Sequence, residues 1–527
     1  MRILITDDLA PVGVELLKSR SDFRVEERPG ISREELLAVA PELQALVTRS
    51  QTPVDAELLA AATDLRVLCR AAVGVDNIDL EAATERGILV VNCPYDNVVS
   101  AAEHTMALLL ACCRNLVDAH TSLRNGTWDR KSFLGVELRD KTLGIVGLGK
   151  VGSRVAAMAG GFGMRVIAYD PYIADRKFES ARAEKVETLE DLVDACDVLT
   201  IHTPKTQETL GMIGAPVIAR LAPHAIVVNC ARGGIVDEDA LLEALEENRV
   251  AAAGVDVWED EPATDRPLQR HPRVVMTPHL GANTIEAQAR ISRTAAEQVI
   301  KALDGKTVDH PVNMPNLQAS LMDRVAHYAA LAEKIGAFGE QYARGRVGGI
   351  DVIYQGDLAE ASTDLLTMAL LKGFVSQTSD QRITYVNARR KAEDRGLAVN
   401  EASDPVATDY RGAMKVVFHQ EKGTLVLVGT IFDERYPHIV QLDQYHFDII
   451  PDGVFLIMEN EDKPGVIGEV GTILGRAGIN IARWELGRMT EGAHAIAAIQ
   501  VDQTVPEATL DRIRKARHVT DARLVRL

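Results

Sequence analysis

Three polar residues suited to moving a proton and holding an anion each stand just past an apolar run: Arg232, Glu261 and His279. Arg232 follows Val227-Val228-Asn229-Cys230-Ala231 and precedes two glycines; Glu261 follows Val255-Asp256-Val257-Trp258 within an acidic string; His279 follows Val274-Val275-Met276-Thr277-Pro278. In open α/β sheets the ligand crevice lies beyond the carboxyl ends of the strands, where such positions fall. Singly, they read as a solvated strand-end arginine, a surface acid and a structurally satisfied histidine. Together they supply what reversible alcohol oxidation needs: a cation at the oxygen, an imidazole for the hydroxyl proton, and a carboxylate that orients the ring and stabilises its charged form. A guanidinium also pairs bidentately with a substrate carboxylate.

The acceptor for the hydride is written upstream. Gly147, Gly149 and Gly152 follow the run Leu143-Gly144-Ile145-Val146 in a GxGxxG pattern, a helix-compatible stretch covers 153–160, and Asp170 comes 23 residues after Gly147. Strand, glycine turn, helix and distant acid are the context of a dinucleotide site, in which the helix N-terminus attracts a pyrophosphate. A carboxylate accepts both ribose hydroxyls and repels a 2′-phosphate, so Asp170 selects NAD over NADP.

These residues need sheets to position them. Up to residue 98, short apolar runs (3–6, 45–48, 66–70, 88–92) alternate with helix-length segments such as 32–40, which indicates a parallel βαβ sheet. A long apolar helix is expected over 101–116, and strand-like runs at 198–202, 226–230, 252–257 and 274–277 complete a second, doubly wound unit. The periodicity of 286–303, ending at Gly305, would carry the chain back to the first unit. The expected domains are therefore 1–98 with 286–312, then 99–285. A proline-rich linker at 310–315 precedes an α+β module over 317–450, with strands at 415–419 and 424–430. The final segment, 453–527, reads as strand, helix, two strands, helix, strand, the βαββαβ order of a split βαβ unit.

A chain of 527 residues has room for roughly three or four such domains. Its formal charge of −18 argues against nucleic acid or an anionic membrane as partner, and leaves a local basic pocket for an acidic metabolite. The six cysteines form no CxxC pair or metal-ligand spacing, so reduced thiols and no metal are expected. The opening residues lack a secretory signature and no apolar stretch is long enough to span a bilayer, which points to the cytoplasm.

The strings GLGKVG, Ala231-Arg232-Gly233-Gly234-Ile235-Val236-Asp237-Glu238, Glu261-Pro262 and Pro278-His279-Leu280-Gly281-Ala282 resemble the D-isomer-specific 2-hydroxy acid dehydrogenases, as do Val73-Gly74-Val75-Asp76-Asn77 and Ser100-Ala101-Ala102-Glu103-His104-Thr105. The resemblance covers essentially the whole chain and is strongest to the family's long, phosphoglycerate-oxidising branch. It implies a discontinuous flavodoxin-like substrate domain, a Rossmann NAD domain, an intervening domain and a C-terminal ACT domain. His279 would then be the proton donor or acceptor, Glu261 its support and Arg232 the substrate clamp. Cofactor contacts would come from Val73, the turn residues Gly147, Gly149, Lys150, Val151 and Gly152, and Asp170, Thr203, Cys230, Ala231 and Asp256. His279, Leu280, Gly281 and Ala282 would complete that set.

By the same resemblance, 3-phosphoglycerate would be held by Arg49, Ser50, Arg70, Gly74, Asn97, Arg130 and Lys131, and oxidised to 3-phosphohydroxypyruvate at the start of serine biosynthesis. One departure is Tyr95-Asp96-Asn97, where the family usually has a small turn; Asp96 would oppose a phosphate unless it points away. Asn460, Asp462 and Asn480 match positions near an L-serine effector site, although Asn460 to Pro464 also reads as a plain turn and helix start. A homodimer or homotetramer is implied. Alternative readings are a reductase for hydroxypyruvate, glyoxylate or 2-oxoglutarate, and an NAD(H)-sensing interaction protein.

Overall fold

A computed structural model describes residues 1–315, 322–359, 363–406, 409–488 and 494–527. The first sheet is parallel, in the order Arg24–Glu27, Arg2–Ile5, Ala45–Thr48, Val67–Arg70, Leu89–Asn92. Its inner strands Ala45–Thr48 and Val67–Arg70 are buried at every position, as strands covered on both faces must be. The helix Ile285–Leu303, capped by Thr284, closes one face: Ile291, Val299 and Leu303 share a core with Ile3, Val14, Leu17 and Val91. Each of those three large side chains contributes roughly 1.5–3 kcal/mol on full burial, enough to hold a distant segment in place. The helix also lies against Pro11–Lys18, where a Cβ on Gly13 would meet the Ser292 carbonyl at 2.1 Å. The first domain is thus discontinuous.

The proline-rich string is not a free linker. Val312 N–H donates to the Val90 carbonyl at 2.8 Å, Asn313 Oδ1 accepts from Val90 N–H at 2.9 Å, and Val91 bridges Pro311. Proline tolerates this because it sits at a sheet edge, where its missing N–H costs no ladder bond. The boundary expected at 317 lies outside the described residues.

The second sheet has seven parallel strands, ordered Val274–Met276, Ala252–Val255, Ile226–Asn229, Val198–Ile201, Thr142–Val146, Arg165–Tyr169, Glu184–Lys185. The order reverses between Thr142–Val146 and Val198–Ile201, which opens a crevice at their carboxyl ends. The helix expected over 101–116 spans Val98–Cys113, with one face buried and Val99, Glu103 and Ala107 exposed; Asn115 then adopts φ 48° and a further helix, Leu116–Arg124, follows with no buried residue. Asparagine tolerates the left-handed region, and an apolar pattern alone cannot report that break.

Beyond residue 322, the helices Met322–Tyr342 and Asp364–Ser376 cover a six-stranded mixed sheet that includes Gly412–Gln420 and Gly423–Phe432. The last domain follows the expected βαββαβ order, with strands Ile481–Arg488, His494–Val501, Val454–Glu461 and Val519–Arg526 side by side, all antiparallel. Among the described residues no helix is long and apolar enough to cross a membrane.

Candidate active site

The carboxyl ends of the first two sheets face each other. Arg70 ends the strand Val67–Arg70, Arg49 follows Ala45–Thr48, and Arg232 follows Ile226–Asn229. A Cβ on Gly74 would lie 2.2 Å from Arg232 Nη2, so only glycine leaves room for the guanidinium, and Arg232 Nε donates to Asp76 Oδ2 at 3.3 Å. Arg70 is only 8 % exposed, yet its Nε and Nη1 have no partner; Arg49 Nε is likewise buried and unpaired. Burial pushes the Arg70 guanidinium down to about 10, and the charges of Arg49 and Arg232 press in the same direction against Asp7 and Asp76. Buried donors without acceptors are rare in native proteins, and here several converge, which is the electrostatic form of an anion site.

Buried Asp7 builds the wall behind Arg49. Its carboxylate accepts from the N–H groups of Arg49 and Gln51, both at 3.0 Å, and from the hydroxyls of Thr48 and Thr52 at 3.1 and 2.8 Å. Burial would raise the Asp7 pKa, but these donors outweigh it and leave it below the ordinary carboxylate range. Asn77 braces the same loop by donating to the carbonyls of Arg49 and Thr52, while its own Oδ1 and that of Asn97 remain buried without partners.

On the facing sheet, His279 Nδ1 lies 2.6 Å from Glu261 Oε2. Glu261 Oε1 accepts from Trp258 N–H at 3.1 Å, and Trp258 Nε1 donates to the Thr277 carbonyl at 3.3 Å, so the acid and the histidine share one brace. Partial desolvation raises the Glu261 pKa, but the His279 hydrogen bond and charge prevail and hold it below the usual value. An ionised Glu261 makes Nδ1 the protonated nitrogen, leaving His279 Nε2 as the open acceptor. The loop of Arg232 packs directly on this unit: a Cβ on Gly233 would meet the Trp258 carbonyl at 1.7 Å. His202, against Gly147 of the glycine turn, is pushed down to about 4 by burial and is neutral.

The glycine turn fits a dinucleotide. Gly147 has φ 90° and abuts His202 and Thr203; a Cβ on Gly152 would strike the Gly147 carbonyl at 2.2 Å; Gly149 faces open space at the N-terminus of helix Lys150–Gly161. Thr203 Oγ1 is buried beside the turn without a partner. Asp170 accepts from Leu148 and Tyr172 N–H, which fixes its carboxylate against the turn and leaves lone pairs for ribose hydroxyls. Val73 and Val151 are half-buried, Lys150 Nζ lies 4.5 Å from the Tyr95 ring centre, and burial pushes the Cys230 thiol up to about 12, so it carries no nucleophile. Ala231 donates its N–H to Asn229 Oδ1, and the Ala282 carbonyl accepts from Gln288. These features suit a bound nicotinamide dinucleotide.

Two groups of expected residues fall elsewhere. Arg130 and Lys131 are exposed on the segment after Leu116–Arg124, where Asp129 Oδ1 accepts the Lys131 N–H, and neither side chain bonds a described site residue. Ser50 is exposed at the crevice rim, and Asp96 turns its backbone carbonyl to Arg290 Nε at 3.0 Å. In the last domain Asn460 is buried with Oδ1 unpaired, Asp462 pairs with Arg488, and Asn480 bonds Asp502 at 2.6 Å. The sequence reading gave no role to Asp7, Asn77, Asn229 or His104. Asn77 and His104 stood inside quoted motifs, and the polar residue ending an apolar strand was the available signal for Asn229.

Residues 106–281 match the D-isomer specific 2-hydroxyacid dehydrogenase NAD binding domain, 324–443 the D-3-phosphoglycerate dehydrogenase intervening domain, and 454–518 the ACT domain. A D-3-phosphoglycerate dehydrogenase of Methanocaldococcus jannaschii is 41% identical over 527 residues, covering 100% of both chains. One of Archaeoglobus fulgidus is 39% identical over 530 residues, again covering 100% of each. A solved D-lactate dehydrogenase of Aquifex aeolicus, complexed with NAD and lactic acid, is 28% identical with a TM-score of 0.53, covering 60% of this chain and 100% of its own.

Proposed function

The chain belongs to the D-3-phosphoglycerate dehydrogenases, and from that membership we propose that Arg232, Glu261 and His279 carry its reaction in the crevice between the first two sheets. The activity is NAD-dependent oxidation of 3-phosphoglycerate to 3-phosphohydroxypyruvate, the entry to serine biosynthesis. The observation that carries the site reading is the buried, unpartnered Arg70 guanidinium beside Arg49 and Arg232. Three cations suit a substrate with a carboxylate at one end and a phosphate at the other.

Arg232 binds the carboxylate and polarises the C2 oxygen; Arg49 and Arg70, with Ser50, Gly74 and Asn97 lining the path, bind the rest. His279 Nε2 takes the C2 hydroxyl proton, and ionised Glu261 stabilises the resulting imidazolium through Nδ1–H. The turn from Gly147 to Gly152, with Asp170, Thr203 and the 230–231 and 280–282 loops, would hold NAD, which when bound would supply the hydride acceptor at C2. In the reverse direction the imidazolium returns its proton to the carbonyl oxygen.

The unpaired Asn460 Oδ1 supports an L-serine site in the ACT domain, shared with Asp462 and Asn480. Leu116, Val117, Leu123, Trp128, Leu134 and Val136 are all exposed on one stretch, which suits burial between copies in a homodimer or homotetramer. In such an assembly Arg130 and Lys131 reach substrate only from a neighbouring copy. Domain limits at 98/99, 285/286 and 312 follow the same reading. A panel of 3-phosphoglycerate, hydroxypyruvate, glyoxylate and 2-oxoglutarate, assayed with NAD and NADP and with or without L-serine, tests it. The expected result is the highest specificity constant for 3-phosphoglycerate with NAD; a higher value for another acid overturns the substrate reading.

A further inference from the structure

His279 adopts φ 56°, a left-handed conformation that a non-glycine residue keeps only when its surroundings enforce it. The enforcing residue is Asp256, which is fully buried. Its backbone carbonyl accepts from His279 N–H at 2.8 Å, its Oδ1 from Leu280 N–H at 2.7 Å, and its Oδ2 from Gly281 N–H at 2.9 Å. Three consecutive N–H groups thus close on one residue. Burial opposes ionisation of Asp256, but the bonds from His104, Thr277 and Leu280 outweigh it and keep the carboxylate below its ordinary pKa.

Asp256 is itself aimed from behind. Thr277 Oγ1 donates to Asp256 Oδ1 at 2.6 Å, which uses the only proton a hydroxyl has. The contact of 2.9 Å between Thr277 Oγ1 and His104 Nε2 must therefore run the other way, with the imidazole N–H as donor. The same Nε2 lies 3.2 Å from Asp256 Oδ1, so one N–H is shared between the hydroxyl and the carboxylate. His104 stands on the helix Val98–Cys113, which begins at Asn97 of the substrate group. It links the helix leaving the substrate side to the loop that presents the base.

We propose that His104 is a positioning residue for the dehydrogenase reaction, acting through Thr277 and Asp256 to hold the Pro278–Ala282 loop so that His279 faces the substrate hydroxyl. The inference rests on His279 as the proton acceptor. His104 touches no reacting atom. Its role is geometric, and a displacement of about 1 Å at a proton-transfer group is worth up to about a hundredfold in rate.

The test uses the full-length enzyme with His104→Ala, His104→Asn, His104→Gln and, in parallel, His279→Ala. A glutamine amide extends a donor to where Nε2 stands, whereas asparagine stops near Nδ1. Steady-state constants are measured with 3-phosphoglycerate and with its C2-deuterated form, alongside thermal unfolding. His104→Ala and His104→Asn are expected to lose roughly tenfold to a hundredfold in kcat. KM should stay within about twofold, and the deuterium effect on kcat should rise because transfer at C2 becomes the slow step. His104→Gln should recover most of the loss. Undiminished kcat in His104→Ala, a loss confined to KM, or equal losses in all three variants that track melting temperature with an unchanged isotope effect would overturn the proposal. If His279→Ala keeps its turnover, the base assignment itself fails; if it is inactive while His104→Ala is not, only the role of His104 fails.

Discussion

The crevice between the first two sheets and the C-terminal pair of domains treat charge in opposite ways. In the crevice, Arg49 and Arg70 keep buried donors unpaired, and Thr203, Asn77 and Asn97 keep buried oxygens unpaired. In the intervening domain, Lys372 holds both oxygens of Glu333 at 2.7 and 2.8 Å, and Tyr385 adds a third bond. At the junction with the ACT domain, Arg344 and Tyr342 both reach Glu459. An unmet buried polar group costs about 1–3 kcal/mol, so a protein retains several together only where a ligand repays them. The paired groups tie packed elements together, and the unpaired ones are the groups to which the proposed substrate reading gives a partner. Asn460 Oδ1 and Trp484 Nε1 are the exceptions among the described residues of the C-terminal half, and Asn460 is where the effector reading falls.

The sharpest way to break this contrast is His279→Ala, which should lower kcat/KM by about 10²–10⁴ with the fold intact, read from NADH formation and circular dichroism. Next comes Arg70→Met. Removing an unpaired buried cation should raise KM for 3-phosphoglycerate at least about tenfold while leaving stability equal or greater, since the variant sheds a desolvated charge. A lower melting temperature with unchanged KM would show that Arg70 is structural. The mirror experiment, Glu333→Gln, should cost about 1–2 kcal/mol in urea unfolding because Lys372 loses its partner, with KM unaffected.

Acid should act on the crevice, with a defined sign. Asp7 and Asp256 have folded-state pKa values below their ordinary 3.8, despite burial, because hydrogen bonds favour the charged form. Their contribution is therefore fully present above the unfolded carboxylate range and is lost as pH falls through the depressed folded values. Asp7→Asn should flatten the acid end of the stability curve; an unchanged curve would remove Asp7 from the account. The smallest expected effect is at the ACT domain, where Asn460→Ala should abolish any inhibition by L-serine and leave basal turnover as it was.

Much of the fold was legible because its signals are local. The helical periodicity of 286–303 and the turn at Gly305 placed the returning helix Ile285–Leu303 within a residue of where it lies. The second helix, Leu116–Arg124, was not legible, since it buries no residue that would give it an apolar stripe, and one left-handed asparagine at 115 sets it off from the first. Nor was the edge pairing of Pro311 and Val312, because prolines signal the end of regular structure and say nothing of what the neighbouring carbonyls meet.

The sequence by itself determined the glycine turn, the carboxylate of Asp170 beyond it, and the residue types at three strand ends, because each depends on spacing along one segment. Tertiary structure decided the rest. Only the folding of two sheets with their carboxyl ends facing puts Gly74 under the Arg232 guanidinium, gathers Arg49 and Arg70 from neighbouring strands, and leaves Arg130 and Lys131 outside. The same holds for His104, more than 150 residues from its partners Asp256 and Thr277 in sequence and 3.2 and 2.9 Å from them in space. Burial and electrostatic coupling are properties of what surrounds a group, and those surroundings come from segments far apart in the chain.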